Sequence, residues 1–436
     1  MQKLNIAVVG SGISGLSAAW LLSKLHNVTV FEADQRLGGH AHTEVLGKVS
    51  VDVGFIVFNE KTYPNFTALL RHLNVATTET EMGFGVSLNG GAIEYSGTNL
   101  RQLVGSPRAA LSRAHWAMMA DIARFYRTAK ALAQSIDDNL SLGQFLQQNN
   151  FSQAFIERHL IPMAAAIWSS HPGHMLDYPA KAFISFFDNH QLLNLGARDK
   201  WQSVAGGSQN YVAKLLDSDI KMHRADAVTK VRRSTGSVNI TCASGLEATF
   251  DHVIMATHAD QSLKLLDQPR DEEINLLEPF KYSHNQVVLH RDAALMPKRK
   301  AYWSSWNYIG DLGADHCGVT YWMNALQKLD TNTDHFVSLN PVHAPKRELT
   351  DLSYACTHPI FDCHTLKAQR DLWSLQGQKN TWFCGAYFGS GFHEDGLQAG
   401  LAVAEQLGGM DRPWTVANPS GRIHVHQEFE KMVAAE

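Results

Sequence analysis

Apolar positions follow three rhythms along this chain. Near the start, a short apolar run, NIAVV at 5–9, leads into a glycine-rich loop. Leu16, Ala19, Leu22 and Leu25 then recur at the spacing of one helix face, and a second apolar run, VTVF, occupies 28–31. Strand, helix and strand in that order predict a βαβ unit. A second region, 220–254, has β character: VNITC at 238–242 and the segment ending DHVIMA at 251–256 read as strands around a turn at Ser244-Gly245. A third, 381–407, reads as a strand (TWFCG), a glycine loop and a helix from about Leu397. Two long insertions separate these blocks. Residues 60–200 are patterned mainly for helix, and 270–345 carry apolar and aromatic strands such as 285–289 and 319–323. Internal repeats and low-complexity segments are absent from the sequence. The alternation predicts an α/β chain whose two domains interleave, one for a nucleotide and one for a substrate.

The loop after the first strand is Gly10-Ser11-Gly12-Ile13-Ser14-Gly15, a G-x-G-x-x-G in the context that gives it meaning. A strand precedes it, a helix follows it, and Glu32 ends the second strand 17 residues beyond Gly15. The first glycine permits the turn, the second lets backbone approach a pyrophosphate, and the third lets helix pack on strand. The helix start offers oriented N–H groups to an anion. Glu32 is positioned to accept hydrogen bonds from an adenosine ribose, with Ala33 beside it.

The residues after Glu32 decide which dinucleotide binds. Arg36-Leu37-Gly38-Gly39-His40 adds a second glycine pair that a simple NAD domain does not need. With that pair, the sequence resembles the flavin-containing amine oxidase superfamily, whose hallmarks are an N-terminal G-x-G-x-x-G, an acidic residue, R-x-G-G and a C-terminal glycine segment. The last corresponds to Phe383-Cys384-Gly385 and 391–400, which include Gly391, Phe392, His393, Glu394, Asp395, Gly396, Leu397 and Gly400. The resemblance implies FAD, held by Gly10, Gly12, Ile13, Ser14, Gly15, Glu32, Ala33, Arg36, Gly38, Gly39, His40, Gly54, Phe55, Val228, Gly385, Gly396, Leu397 and Gly400. Arg36 is expected near the phosphates. It also implies a Rossmann-like FAD domain of the amine oxidase type interleaved with an α+β substrate domain. Asp52-Val53-Gly54-Phe55, 205–208 and 256–260 resemble a bacterial subgroup associated with fatty acyl modification, and the flavin-dependent desaturases of methylated and furan fatty acid synthesis are its nearest functional likeness. The expected FAD domain comprises 1–60, 200–270 and 345–415, the substrate domain 60–200 and 270–345, and 416–436 a polar tail.

No second G-x-G-x-x-G occurs, which points away from reduction by NADPH and toward electrons drawn from an organic substrate. Their acceptor is open among oxygen, a quinone and another protein. Amine oxidases of the superfamily commonly place a lysine beside the flavin on a strand that aligns near His290 or Arg291, and this chain has none there.

Oxidation by FAD needs a positioned substrate and often a base. The resemblance makes His393, Glu394, His40 and Tyr387 the candidate catalytic groups. The competing reading is structural: Glu394 and Asp395 cap the returning helix, His393 and His40 are satisfied by backbone, and Tyr387 with Phe388 is packing. Twenty-two His invite a metal, but Cys356-x-His358, Cys363-His364 and His171-x-x-His174 lack paired ligand spacing, so no metal is expected.

Composition narrows the partners. With 38 basic and 42 acidic groups the net charge is −4, which lacks the cationic field that nucleic-acid binding uses. Five scattered Cys form no framework and suggest a reducing compartment. No signal-like or membrane-spanning run is visible, so a cytoplasmic location is expected. Residues 101–135 carry six basic groups against one acidic, interleaved with Trp116, Met118, Met119, Ile122, Phe125 and Tyr126. That composition fits either a helix lying on the anionic inner face of a membrane or an ordinary amphipathic helix. Aromatic residues at 302–308 and 321–323 suit an apolar pocket. The expected activity is oxidation of an apolar substrate, an acyl chain of a fatty acid or phospholipid. Amine oxidation, carotenoid-type desaturation and a non-catalytic lipid carrier of the same fold are the alternatives.

Overall fold

A computed structural model describes residues 3–137, 140–168, 175–189, 192–193, 200–314 and 317–425. The βαβ expectation is met by strand Asn5–Val9, helix Ile13–Leu22 and strand Asn27–Glu32. These belong to a five-stranded parallel sheet in the order Ile220–Arg224, Asn27–Glu32, Asn5–Val9, His252–Met255, Thr381–Phe383. Ile6, Ala7 and Val8 are fully buried, as in a parallel sheet covered on both faces. Beside it stands a small antiparallel sheet of Val228–Ser234, Ser237–Cys242 and Glu247–Phe250.

Helix Ile13–Leu22 is buried along its whole length and packs on the returning helix His393–Gly408. The crossing needs a glycine: a Cβ on Gly400 would stand 2.2 Å from the Ser14 carbonyl oxygen. The returning helix begins four residues before the expected Leu397. The Asp395 carboxylate accepts from the Phe392 N–H (2.8 Å), capping the chain at Phe392.

A second, seven-stranded sheet runs Thr350–Ile360, Lys281–His290, Phe336–Leu339, Cys317–Trp322, Trp306–Gly310, Phe84–Leu88, Ile93–Ser96, antiparallel except between Trp306–Gly310 and Phe84–Leu88. Residues 60–200 are mainly helical, as expected, and add the short strands Thr77–Thr80, Phe84–Leu88 and Ile93–Ser96. Thr350–Ile360 pairs with Lys281–His290 along nearly its full length, so the substrate-side sheet extends past the expected boundary at 345. Helices Arg113–Ala133, Leu142–Gln148, Ile161–Trp168 and Ala180–Asn189, with the π-helix Ile156–Leu160, pack through Phe125, Phe145, Phe155, Phe183 and Phe187, all fully buried.

One buried carboxylate joins parts far apart in sequence. Asp52 accepts from the Thr43 hydroxyl (2.5 Å), the Ser208 N–H and hydroxyl, and Gln327 Nε2 (2.8 Å), and burial still raises its pKa to about 6. The described part of the tail is also tied down. Arg422 pairs with Asp395 (2.5 Å), and Arg412, just before the tail, donates to the Pro419 carbonyl while pairing with Glu405.

Candidate active site

The glycine loops converge at the carboxyl end of the parallel sheet, the edge where open α/β sheets bind ligands. A Cβ on Gly15 would lie 2.0 Å from the Gly10 carbonyl oxygen, so the helix can sit on its own loop only without a side chain. Gly12 is the N-cap, carries no side-chain cap, and has open space where its Cβ would be. The first-turn N–H groups at Gly12, Ile13 and Ser14 therefore have no side chain in front of them. Gly39 fits against this loop, its Cβ position 2.9 Å from Gly12 Cα, and the Gly38 N–H donates to the Ser11 carbonyl. Glu32 accepts from the Ser11 N–H (2.9 Å) and hydroxyl (2.5 Å), while its other oxygen accepts from the Asp34 N–H. The exposed Ala33 follows it. Val228 stands two residues beyond Asp226, whose N–H donates to the Glu32 carbonyl, and so lies at the same end. Gly396 packs on Ile13 and Ser14, and Leu397 is buried. Gly385 follows the last parallel strand, where its neighbour Cys384 donates its N–H to the Met255 carbonyl. Open backbone at Gly12, an uncapped helix start and a carboxylate at the neighbouring strand end fit the pyrophosphate and ribose of a dinucleotide.

The Arg36 guanidinium donates to the carbonyls of Leu37 and Ala41 (3.4 and 3.2 Å), bracing the second glycine loop. His40 is solvent-accessible yet surrounded by protein, as expected of a side chain lining a deep cleft. The Phe55 N–H donates to its carbonyl, and Gly54 packs on the same oxygen. Two further imidazoles face His40: His258, centroid 6.3 Å away, and His358, 5.4 Å away. Burial lowers all three pKa values, that of His258 to about 4 and of His358 to about 3. Neither was singled out for this cleft from the sequence, although His258 stands three residues beyond the end of the parallel strand His252–Met255 and so carried a signal. His358 sits on Thr350–Ile360, where the sequence marks it only as the partner of Cys356 in Cys356-x-His358.

The returning segment brings the other candidates together in different roles. His393 is buried, stacked on Phe55 (3.9 Å, 9°), with its Nε2 2.7 Å from the Tyr211 hydroxyl. Burial pushes its pKa down to about 3, so it is a poor base at neutral pH. Glu394 is a structural group, contrary to the catalytic expectation. It is fully buried and accepts from the Asn65 N–H and Nδ2, the Phe66 N–H and Gln398 Nε2, fastening the returning helix to helix Pro64–His72. Tyr387 is buried against Phe280 and Phe388, its hydroxyl without a hydrogen-bond partner, and it does not line a second, apolar cavity between the helices and the seven-stranded sheet.

That cavity, of about 260 Å³, lies between the helices and the seven-stranded sheet. Its apolar wall includes Phe84, Ile122, Met163, Ile167, Phe186 and Trp306, and it reaches the cofactor side at Phe392, the cap of the returning helix. Among the described residues, no Asp or Glu lines it. Tyr95, Tyr126 and His159 supply its principal polar cluster. The lysine alignment is corrected as well. His290 is buried at the far end of Lys281–His290, bonded to the Ser338 hydroxyl (2.8 Å), whereas the end that meets the glycine loops carries Tyr282, stacked on His258 at 4.2 Å. Of the metal candidates, His171 and His174 fall outside the described residues. Among the described residues, the group with ligand-type atoms within 4.8 Å of one another is His223, Asp226 and Cys242, which does not line the cavity.

This fold and site define a flavin-dependent oxidoreductase. Residues 13–299 match the flavin containing amine oxidoreductase family, and the chain belongs to it. FAD is accordingly its cofactor. Over 339 residues, 72% of this chain and 69% of the relative, it is 25% identical to AofH of Mycobacterium tuberculosis, named provisionally as a flavin-containing monoamine oxidase. Among solved structures it resembles cyclohexylamine oxidase from Brevibacterium oxydans (TM-score 0.69, 14% identity, covering 93% of this chain and all of that one). It also resembles a fatty acid isomerase from P. acnes that produces CLA (TM-score 0.62, 16% identity, covering 93% and 98%). At those identities the structural likeness carries the fold alone.

Proposed function

We propose that the protein oxidises an acyl chain, free or in a phospholipid, forming a C=C bond by loss of one hydrogen as a hydride to FAD and of the neighbouring one as a proton released to solvent. The observation that carries this reading is the cavity: apolar and aromatic walls, no carboxylate among its described lining residues to pair with a charged amine, and one end at the start of the returning helix. Bound FAD supplies a two-electron acceptor for a hydride. This chain's own residues do the rest. The N–H groups at Gly12, Ile13 and Ser14 would hold the pyrophosphate and Glu32 the ribose. Gly38, Gly39 and His40 would close the cleft, and the cavity walls would orient the chain and exclude water.

The surface supports lipid delivery. Of the exposed large apolar side chains among the described residues, Val104 (40%), Leu111 (89%) and Trp116 (52%) fall within one 13-residue stretch. Exposed Arg101, Arg108 and Arg113 accompany them and make no ion pair among the described residues. Leu103, one residue before that stretch, lines the cavity. The basic excess at 101–135 is thereby divided. Arg124 is tied to Asp121, Asn149 and Asn150, and Lys130 to Asp188, while the first turns face outward as an apolar and cationic patch suited to an anionic bilayer. No helix among the described residues is long and apolar enough to cross a membrane. The rest of helix Arg113–Ala133 buries Met118, Ile122 and Phe125 as an ordinary amphipathic helix does.

Anaerobic titration of the FAD-loaded protein tests the reading. Bleaching of the flavin band by fatty acids or bacterial phospholipid, and not by primary amines, supports it. Bleaching by amines alone would assign the cavity to amine oxidation.

A further inference from the structure

We infer that His223, Asp226 and Cys242 form a binding site for one zinc ion, or a similarly soft divalent ion, at the corner where the parallel sheet meets the small antiparallel sheet. The imidazole, the carboxylate and the thiol each offer a ligand atom, and the three atoms lie within 4.8 Å of one another. These are the side chains zinc takes, with bonds of about 2.0–2.3 Å, so a tetrahedral ion holds its ligand atoms roughly 3.3–3.8 Å apart and side-chain shifts of about 1 Å close this trio around one. The site is independent of what occupies the apolar cavity.

Three segments build the corner. His223 lies on the edge strand Ile220–Arg224, opposite Phe31 of Asn27–Glu32. Its ring rests edge-on against the buried Phe31 (5.4 Å, 61°), which fixes the direction of the imidazole. The chain then turns sharply. Ala225 takes a left-handed φ of +61°, uncommon for a residue with a Cβ, and Asp226 comes back beside His223 with its Oδ2 2.8 Å from Nε2. Cys242 ends strand Ser237–Cys242 and arrives at the same place because it pairs with Val228, two residues past Asp226.

The ligands are oriented from outside. The Ser244 N–H donates to Asp226 Oδ1 (2.9 Å) and the Ser244 hydroxyl to Oδ2 (2.5 Å), the kind of outer hydrogen bond that aims a metal-binding carboxylate. Cys242 is buried and free of any disulfide, whereas the side chains of His223 and Asp226 are 34% and 11% exposed. An ion therefore has a way in, and its fourth position is left to solvent. On binding, the Cys242 S–H bond is exchanged for a sulfur–metal bond and the proton leaves to solvent, while Nε2 of His223 turns its lone pair from the hydrogen bond to the ion. A dication with one thiolate and one carboxylate is neutral overall, which suits a half-buried corner. Sulfur and nitrogen among the ligands favour zinc over magnesium or calcium, which take oxygen. The Asp226 N–H donates to the Glu32 carbonyl, so the ion would brace the strand end that presents Glu32 to the cofactor.

Titration of the untagged, FAD-loaded protein with Co²⁺, a spectroscopic stand-in for Zn²⁺, tests this. One equivalent should bind, with a thiolate-to-cobalt charge-transfer band and the d–d bands of a tetrahedral ion, and Zn²⁺ but not Mg²⁺ should bleach both. Cys242→Ala should remove the charge-transfer band. His223→Gln, at a partly exposed position where the fold tolerates change, should keep that band but weaken Co²⁺ at least about a hundredfold, since losing even an outer-sphere partner costs about ten to a hundred. Cys363→Ser, at an exposed thiol beside His364, should alter nothing. Flavin content confirms the fold of each variant. Weak Co²⁺ binding without a charge-transfer band, an adventitious ion only, would overturn the site, as would a band lost in Cys363→Ser and kept in Cys242→Ala, or an affinity unchanged in His223→Gln.

Discussion

The cofactor cradle and the apolar cavity meet at Phe392 yet are built on opposite plans. The cradle is made of backbone, with Gly12, Gly15, Gly38 and Gly39 bringing main chain against main chain within the first 40 residues. The cavity is made of side chains gathered from separate strands and helices between Val57 and Phe392. In the first, one extra methyl group is intolerable at a set position. In the second, shape and polarity are distributed, and one side chain can change selectivity without disturbing the fold.

That contrast can be broken or sharpened by experiment. The largest effect belongs to Gly15→Val, whose Cβ would begin 2.0 Å from the Gly10 carbonyl oxygen. It should cost more than about 4 kcal/mol and leave no flavin-binding protein. Gly12→Ala, where nothing lies within 4 Å, should keep the apoprotein's melting temperature and lose only flavin affinity. Next is Glu394→Leu, which strands four buried donors and should lower stability by about 3 kcal/mol in urea titration. The turnover of whatever flavin-loaded protein remains should stay within about twofold, whereas a catalytic Glu394 would give the opposite pattern.

Acid stability ranks third. His393, His258 and His358 hold folded pKa values of about 3, 4 and 3, below the roughly 6.5 of an unfolded imidazole. The unfolded chain therefore binds more protons in this window, and apoprotein stability should fall as pH drops from about 6.5 through these values. Asp52, raised to about 6, acts in reverse: its stabilising contribution is lost as pH rises from about 4 to 6. His393→Gln should remove close to one proton from the slope, about 1.4 kcal/mol per pH unit.

Ile122→Trp comes fourth. It fills the cavity and should raise KM for acyl substrates about tenfold, or 1.4 kcal/mol, with an unchanged flavin spectrum. The smallest effect on the fold should come from Leu111→Asp with Trp116→Glu, within about 0.5 kcal/mol of wild type. The same pair should abolish flotation with anionic liposomes.

The legible parts were those encoded by neighbours in sequence. Gly10 to Gly15, Glu32 and the second glycine pair announce themselves because a turn, a helix start and a strand end must succeed one another on the chain. Glu394 misled because a carboxylate beside a glycine segment reads alike whether it faces a cofactor or, as here, Asn65 and Phe66 some 330 positions away. The pairing of Thr350–Ile360 with Lys281–His290 misplaced a boundary for the same reason, since an antiparallel partner 60 or more residues off leaves no local mark.

The contact of Gly400 with Ser14 also has a consequence in time. The first helix is finished as a sequence within 22 residues, but the helix that covers it leaves the ribosome only after residue 400. At about 5–20 residues per second the apolar face of Ile13–Leu22 waits on the order of 20 to 80 seconds for its partner. The nascent chain must be shielded for that interval, so its yield in cells should depend on holding chaperones more than the finished fold's stability would suggest.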